Sequence, residues 1–118
     1  MIQLAACGVS ANPSGTLVAA GDLLGFIRIS ETEIANLRTS YTTQIHTLEG
    51  IRSLCWFNDD ILLVGGMGGK LASFNTSSEK FENLRENEQK LDGSITTIRV
   101  FKSRVMCSSI SGRVYMFT

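Results

Sequence analysis

The sequence repeats itself at an interval of 43 or 44 residues, and this period constrains the fold more than any other feature. Three segments align: LVAAGDLLGFIRIS (17–30), ILLVGGMGGKLASF (61–74) and RVMCSSISGRVYMF (104–117). Each contains a glycine at the same place, and the residue two positions later is apolar every time. A period of this length predicts a series of equivalent supersecondary units that bury their apolar faces against one another.

The residues before these segments repeat as well. HTLEGIRSLCWF (46–57) aligns with QKLDGSITTIRVF (89–101), and Gly50 and Gly93 lie 43 residues apart. GVSANPSGTLVAAG (8–21) takes the corresponding place in the first copy. Each unit predicts a meander, with an alternating first strand, a polar turn, an apolar second strand, a glycine turn and a third strand of period two.

The glycine-rich stretch VGGMGGKLAS (64–73) raises the possibility of a phosphate-binding loop. The other two copies carry GDLLG and SSISG at the place of GGMGG, so only the last glycine is shared: Gly25, Gly69 and Gly112. A Walker loop needs four residues between its first glycine and its Gly-Lys pair, and a Ser or Thr directly after the lysine. Here three residues separate Gly65 from Gly69, and Leu71 follows the lysine. The stretch therefore predicts a tight turn between two strands.

The fourth element of each unit has a weaker pattern. The regions 31–41 and 79–87 share the triplet Asn-Leu-Arg, at 36–38 and 83–85, and we interpret both as outer edge strands. A surface helix over residues 77–91 is the alternative, because Phe81, Leu84 and Leu91 would share one helical face. Thr76 and Glu79 would then resemble a capping box.

Composition and charge argue against several functions. The chain has 118 residues, 43% of them hydrophobic, with 11 basic and 11 acidic residues, which is no basic surplus for nucleic acid or an anionic membrane. No apolar run approaches the roughly eighteen residues of a spanning helix. Cys7, Cys55 and Cys107 are an odd set inside apolar stretches, which indicates reduced, buried thiols and an intracellular (cytoplasmic or nuclear) location.

The residues that could support catalysis are few and scattered. His46 is the single histidine, and Cys55 has no orienting acid near it in the pattern. Asp59 and Asp60 follow an asparagine in a turn, where adjacent carboxylates are usually solvated. No set of residues has metal-ligand spacing. We therefore expect no enzyme activity, no metal and no cofactor.

Units of about 43 residues with four strands resemble the blades of the WD-repeat β-propeller family. The matching features are NPSG (12–15), the Gly-x-apolar opening of each third strand and the LEG and LDG lead-ins. The family's Trp-Asp pair is altered: Ser30, Phe74 and Phe117 replace the tryptophan, and Glu31, Asn75 and Thr118 replace the aspartate. Its Gly-His pair lacks the histidine, so the usual Asp–His–Ser–Trp network is not expected.

The resemblance implies an all-β fold, a partial β-propeller of about three four-stranded antiparallel blades in one incomplete domain. The blades are expected near 1–41, 46–88 and 89–118, with the outer strand of the last blade missing. The resemblance implies the C-terminal portion of a larger propeller, or a chain completed by copies of itself or by a partner. The number of blades in the intact molecule stays open.

The turns between second and third strands supply the candidate binding residues. Two positions before each repeating glycine stand Leu23, Met67 and Ile110, where the family usually has small polar or acidic residues. The loops entering the first strands open on the same face and contribute Glu49, Arg52 and Asp92. We expect a non-catalytic scaffold that binds protein or peptide partners there, with Arg52 as the main polar contact. The alternatives are that these side chains fold inward between blades, or that the chain is a structural subunit completed by another chain or by self-association through its open ends.

Overall fold

The computed structural model describes residues 6–31, 38–44, 50–83 and 93–117, and within these ranges the regular elements are all β-strands. The strands are β1 (Ala6–Ala11), β2 (Leu17–Asp22), β3 (Phe26–Glu31), β4 (Arg38–Gln44), β5 (Ile51–Trp56), β6 (Ile61–Gly66), β7 (Leu71–Asn75), β8 (Lys80–Asn83), β9 (Ile95–Phe101), β10 (Arg104–Ser109) and β11 (Val114–Phe117).

The strands form three antiparallel meanders in chain order. The first sheet holds β1 to β4, the second β5 to β8 and the third β9 to β11. The described third sheet therefore has three strands where the others have four. Residues 80–83 pair with β7 as a strand, which favours the edge-strand interpretation over the helix for those residues. Residues 84–91 lie outside the described part of the chain.

The repeating glycines close the turns between second and third strands. Gly25, Gly69 and Gly112 have φ of 89°, 88° and 92°, a left-handed conformation that favours glycine. Each N–H donates to the carbonyl three residues earlier, at 3.1, 3.3 and 3.0 Å. This is the geometry of a short hairpin loop closed by a glycine bulge. The prediction that 64–73 contains a turn is confirmed.

The sheets stack face to face, and the second sheet is covered on both sides. Toward the first sheet it presents Leu62 and Val64, both fully buried; toward the third it presents Leu63 and Leu71, which are 2% and 3% exposed. This explains the uninterrupted apolar run at the start of β6, since both faces of this strand lie in a core. The first cluster comprises Ala19, Ile27, Ile29, Ile51, Trp56, Leu62, Val64, Ala72 and Phe74.

Hydrogen bonds between sheets fix their relative position. The Trp56 indole Nε1 donates to the Ser10 carbonyl at 2.8 Å, and the buried Ser53 hydroxyl donates to the Ile95 carbonyl at 2.7 Å. Near the other end of the strands, Asn12 Nδ2 donates to the Asp59 carbonyl at 3.1 Å. Apolar packing alone is non-directional, so these bonds set the register of one sheet on the next.

Two further glycines, at the same place in consecutive units, permit the sheets to approach closely. A Cβ on Gly21 would lie 2.5 Å from Ile51 Cγ2, and one on Gly65 would lie 2.7 Å from Ile95 Cγ2 and collide with the Ser53 hydroxyl. Neither glycine has a positive φ, so the requirement is space. Ile51 and Ile95, the first residues of β5 and β9, pack into the space beside Gly21 and Gly65.

Gly65→Ala is expected to destabilise the fold by about 1–3 kcal/mol, because the added methyl forces the second and third sheets apart. Gly8→Ala is the matched control, since its Cβ would lie 3.7 Å from Leu54 Cγ, an ordinary contact. There the loss of glycine's backbone freedom should leave stability unchanged or raise it by up to about 1 kcal/mol. Urea unfolding followed by circular dichroism measures both; equal effects would contradict the close-approach argument.

Candidate interaction surface

The three apolar turn residues selected from the sequence are exposed at equivalent places. Leu23, Met67 and Ile110 follow the first residue of each glycine-closed turn, and 55%, 37% and 69% of their surfaces are accessible. The inward orientation considered as an alternative is therefore not observed. We call Leu23, Leu24, Met67 and Ile110 the loop face.

The first and second turns are joined through Gly50. Its φ is 105°, and a Cβ there would lie 2.5 Å from the Leu23 carbonyl oxygen and 3.1 Å from Met67 Cγ. The Met67 N–H donates to the Gly50 carbonyl at 2.9 Å. The chain entering the second sheet thus passes between the two turns at Gly50. A side chain at this position would collide with the Leu23 carbonyl, and the positive φ also favours glycine.

The second and third turns are joined through Ser94. Its hydroxyl donates to the Met67 carbonyl at 2.8 Å, and its own carbonyl accepts from the Ile110 N–H at 2.9 Å. A Cβ on neighbouring Gly93 would lie 2.7 Å from Ile110 Cγ2. Leu23, Met67 and Ile110 therefore lie at equivalent places in three neighbouring sheets. The first two turns approach each other closely at Gly50, and the second and third are linked by the Ser94 hydroxyl.

The first turn is held by a buried carboxylate. Asp22 is 6% exposed, and its Oδ1 accepts from the backbone N–H groups of Leu24 and Phe26, each at 3.0 Å. Gly66 and Ser109 occupy the equivalent places in the other units. Leu24, 59% exposed, is a member of the loop face that sequence reasoning missed. Its counterparts, Gly68 and Ser111, are not apolar, so no repeated signal marked it.

Of the charged residues predicted for this face, the structure describes only Arg52. It is exposed, two residues after Gly50, at the irregularity in pairing between Ile51 and Ser53. Arg52 therefore lies at the same end of the sheets as the loop face. Glu49 and Asp92 lie outside the described residues, and so does His46.

Two other candidate groups have structural surroundings. Asp59 Oδ1 accepts from the Ser14 N–H at 2.8 Å across the first two sheets, in the turn at the opposite end of β6 from the loop face. Burial raises the pKa of the half-buried Cys55 thiol, and the weaker effect of the Arg99 guanidinium opposes it. The thiol is consequently protonated at neutral pH and is a poor nucleophile.

The residues that the structure describes include no group of three or more His, Cys, Asp or Glu placed to bind a metal ion. They also include no helix with the length and apolarity needed to cross a membrane.

Comparison with known proteins identifies the fold but no sequence relatives. No family model and no curated protein matches the sequence. The crystal structure of Sqt1 from Saccharomyces cerevisiae, a WD40-repeat protein, superposes on 98% of this chain with a TM-score of 0.77 and 19% identity. The crystal structure of the computationally designed protein Ika8 superposes on 98% with a TM-score of 0.75 and 16% identity.

This chain spans about a third of the length of both structures, 33% of Sqt1 and 34% of Ika8. At these identities the similarity shows the fold alone. Together with the three stacked antiparallel sheets formed by the described residues, it confirms the predicted fold class: the chain is an all-β, partial β-propeller.

Asp22→Ala is expected to destabilise the chain by about 1–3 kcal/mol, because two partly buried backbone N–H groups lose their acceptor. Asp22→Asn keeps a side-chain oxygen at the same place and should recover most of the loss. Thermal unfolding compares them, and hydrogen exchange at Leu24 and Phe26 locates the effect. Equal destabilisation by both variants would show that the carboxylate acts in another way.

Cys55 is expected to react slowly with a maleimide at pH 7.5, since burial raises its pKa and leaves little thiolate. Because the pKa is raised, the rate should still be rising steeply above about pH 9, where an ordinary thiol is already mostly ionised. Mass spectrometry of a Cys7→Ser chain measures the rate, with Cys55→Ser added on that background as the control. A rate that levels off below pH 8 would contradict the assignment.

Proposed function

We propose that this chain is a non-catalytic protein-interaction scaffold that binds protein or peptide partners on the loop face. The observation that carries the proposal is the row of Leu23, Met67 and Ile110, exposed at equivalent turns and joined laterally through Gly50 and Ser94. Scattered exposed apolar residues are ordinary, whereas a contiguous row is typical of a binding surface.

The mechanism of binding is rigid display. The Met67 and Ile110 N–H groups donate to the carbonyls of Gly50 and Ser94 in their own units, and the Ser94 hydroxyl donates to the Met67 carbonyl of the preceding unit. These backbone segments therefore lose little conformational freedom when a partner binds. The side chains supply apolar area at the centre of the surface. Arg52 stands at its edge as a polar anchor, and Glu49 and Asp92 are proposed to complete the charged rim.

The proposal includes neither an enzyme nor a cofactor. A protonated, half-buried Cys55 and an Asp59 engaged in a turn are poorly suited to catalysis. The odd set of three cysteines in apolar stretches supports a reducing, intracellular location, cytoplasmic or nuclear. The zero formal charge favours protein partners over nucleic acid or a membrane surface.

A second candidate function is that of a structural subunit whose open stack of sheets is completed by another chain or by self-association. The specific observation in its favour is the outward face of the third sheet, where Phe101, Val114 and Met116 are 62%, 72% and 59% exposed. This function would use the end of the stack, whereas the scaffold function uses the loop face.

The scaffold function is tested with peptides selected against this chain from a display library. The triple variant Leu23→Ser, Met67→Ser, Ile110→Ser should weaken the selected peptides at least about tenfold, because it removes the apolar centre of the site. Fluorescence anisotropy with labelled peptide measures the affinity.

Val9→Ser is the control, because Val9 is 67% exposed, about as much as Ile110, but lies on the side of the first sheet that faces away from the second. It should leave the affinity unchanged. Peptides that bind the triple variant and the control equally well would place the binding site elsewhere and overturn the proposal.

A further inference from the structure

Met67 occupies the middle turn of the loop face and is the only member of that face with a sulfur atom. Its side chain is 37% exposed, so small oxidants in solution reach it. Leu23, Leu24 and Ile110 are hydrocarbons that peroxides leave unchanged. A methionine thioether, in contrast, is converted to a sulfoxide, which is polar and chiral. Oxidation of Met67 therefore places a polar group at the centre of an apolar surface.

The Ser94 hydroxyl lies beside two acceptors that both belong to Met67. It donates to the Met67 carbonyl oxygen at 2.8 Å, and the Met67 sulfur is 4.0 Å from the same hydroxyl oxygen. A serine hydroxyl has one proton to donate, and a thioether is a weak acceptor. In the reduced chain the proton consequently goes to the backbone carbonyl, and this bond links the second turn to the third.

A sulfoxide at Met67 changes the competition for that proton. The added oxygen is bonded to a sulfur that already lies next to the Ser94 hydroxyl, which brings it within hydrogen-bonding reach. It is a far better acceptor than the thioether that it replaces. The Ser94 proton then moves from the backbone of the turn to the end of a flexible side chain, and the second and third turns lose their backbone link.

The two cysteines whose surroundings the structure shows compete poorly for the same oxidant. Peroxide reacts with the thiolate rather than the thiol. Burial raises the pKa of Cys55, and Cys107 is only 3% exposed. The thioether of Met67 has no proton to lose, so its reactivity does not depend on ionisation. At neutral pH these thiols therefore do not protect the loop face from oxidation.

We propose that Met67 is a reversible oxidation site that switches the loop face from a binding form to a weakly binding form, a proposal that rests on the scaffold function. In the forward step the Met67 sulfur attacks one oxygen of hydrogen peroxide, so that an S–O bond forms as the O–O bond breaks. The departing hydroxide takes the proton of the transferred hydroxyl, which yields the sulfoxide and water. The sulfur is oxidised by two electrons and the peroxide is reduced by two.

The reverse step is the reaction of methionine sulfoxide reductases, of which there is one for each sulfoxide epimer. Two thiols supply two electrons and two protons, the S–O bond breaks, and the products are the thioether, a disulfide and water. This reversibility distinguishes Met67 from a thiol oxidised to its sulfinic or sulfonic acid, which these reductases do not restore.

The first experiment uses peptides selected against the reduced chain. Dilute hydrogen peroxide should add an oxygen to Met67, located by mass spectrometry, and should weaken the selected peptides at least about tenfold in fluorescence anisotropy. Treatment with both reductases and dithiothreitol should restore the original affinity.

Met67→Leu is the matched control, because leucine is apolar and of similar volume but has no sulfur. Every other oxidation of the chain, including any at Met106 or Met116, still takes place in this variant. Each chain is compared with itself before and after peroxide, so differences in starting affinity do not matter. The affinity of Met67→Leu should not change on treatment.

The transfer of the Ser94 hydrogen bond is tested without any peptide. Oxidation should accelerate amide hydrogen exchange at Met67 and Ile110 at least about threefold, as measured by NMR, because the link between their turns is lost. Ser94→Ala has no hydroxyl to transfer. It should show faster exchange at these amides from the start and no further rise when Met67 is oxidised.

Three results would overturn the inference: a Met67 that resists peroxide in the folded chain, an equal loss of affinity in Met67→Leu and wild type, or exchange at Ile110 that is the same before and after oxidation. Failure of the scaffold function has a different signature, since the selected peptides would then bind the reduced chain away from the loop face. The oxidation of Met67 and the exchange at Ile110 would still report on the switch.

Discussion

The packing of each sheet on the next is the interaction on which the rest of this structure depends. No sheet encloses a core of its own; the two buried clusters lie between sheets. Glycines at positions 21 and 65 bring the inner strands into contact, and the Ser53 and Trp56 hydrogen bonds fix how the sheets are offset. Because apolar contact is non-directional, these polar bonds determine that a particular stacking is adopted.

The loop face is a by-product of that stacking. Turns that would be independent hairpin ends in an isolated sheet are joined by the chain entering the next sheet, through Gly50 and Ser94. The same contacts that stabilise the stack therefore arrange Leu23, Met67 and Ile110 in a row. A scaffold built this way separates roles: inter-sheet residues maintain the shape, and the turn residues are free to vary with the partner.

Much of the fold could be predicted because its determinants recur at a fixed interval. The period, the glycine turns and the apolar second strands each appear in every unit. Comparing the three units with one another was therefore enough to predict the strands and turns. What occurs once was missed. Leu24 has no apolar counterpart, and the bond from Ser94 to Met67 joins residues far apart in the chain. Open ends of the stack were expected from the three units, but the 43-residue pattern does not by itself distinguish Val114 from the buried Leu71, since burial depends on the neighbouring sheet.

The nearest-neighbour character of the stack has a consequence for how the chain loses structure. The middle sheet is supported from two directions, and each terminal sheet from one. In such quasi-linear architectures, free energy is approximately a sum over units and their junctions. The free energy of local unfolding is thus lowest for the terminal sheets, and the strand that contains Leu62, Leu63 and Val64 should be the last to unfold. Covering either terminal sheet would turn a chain that unravels stepwise into one that melts cooperatively.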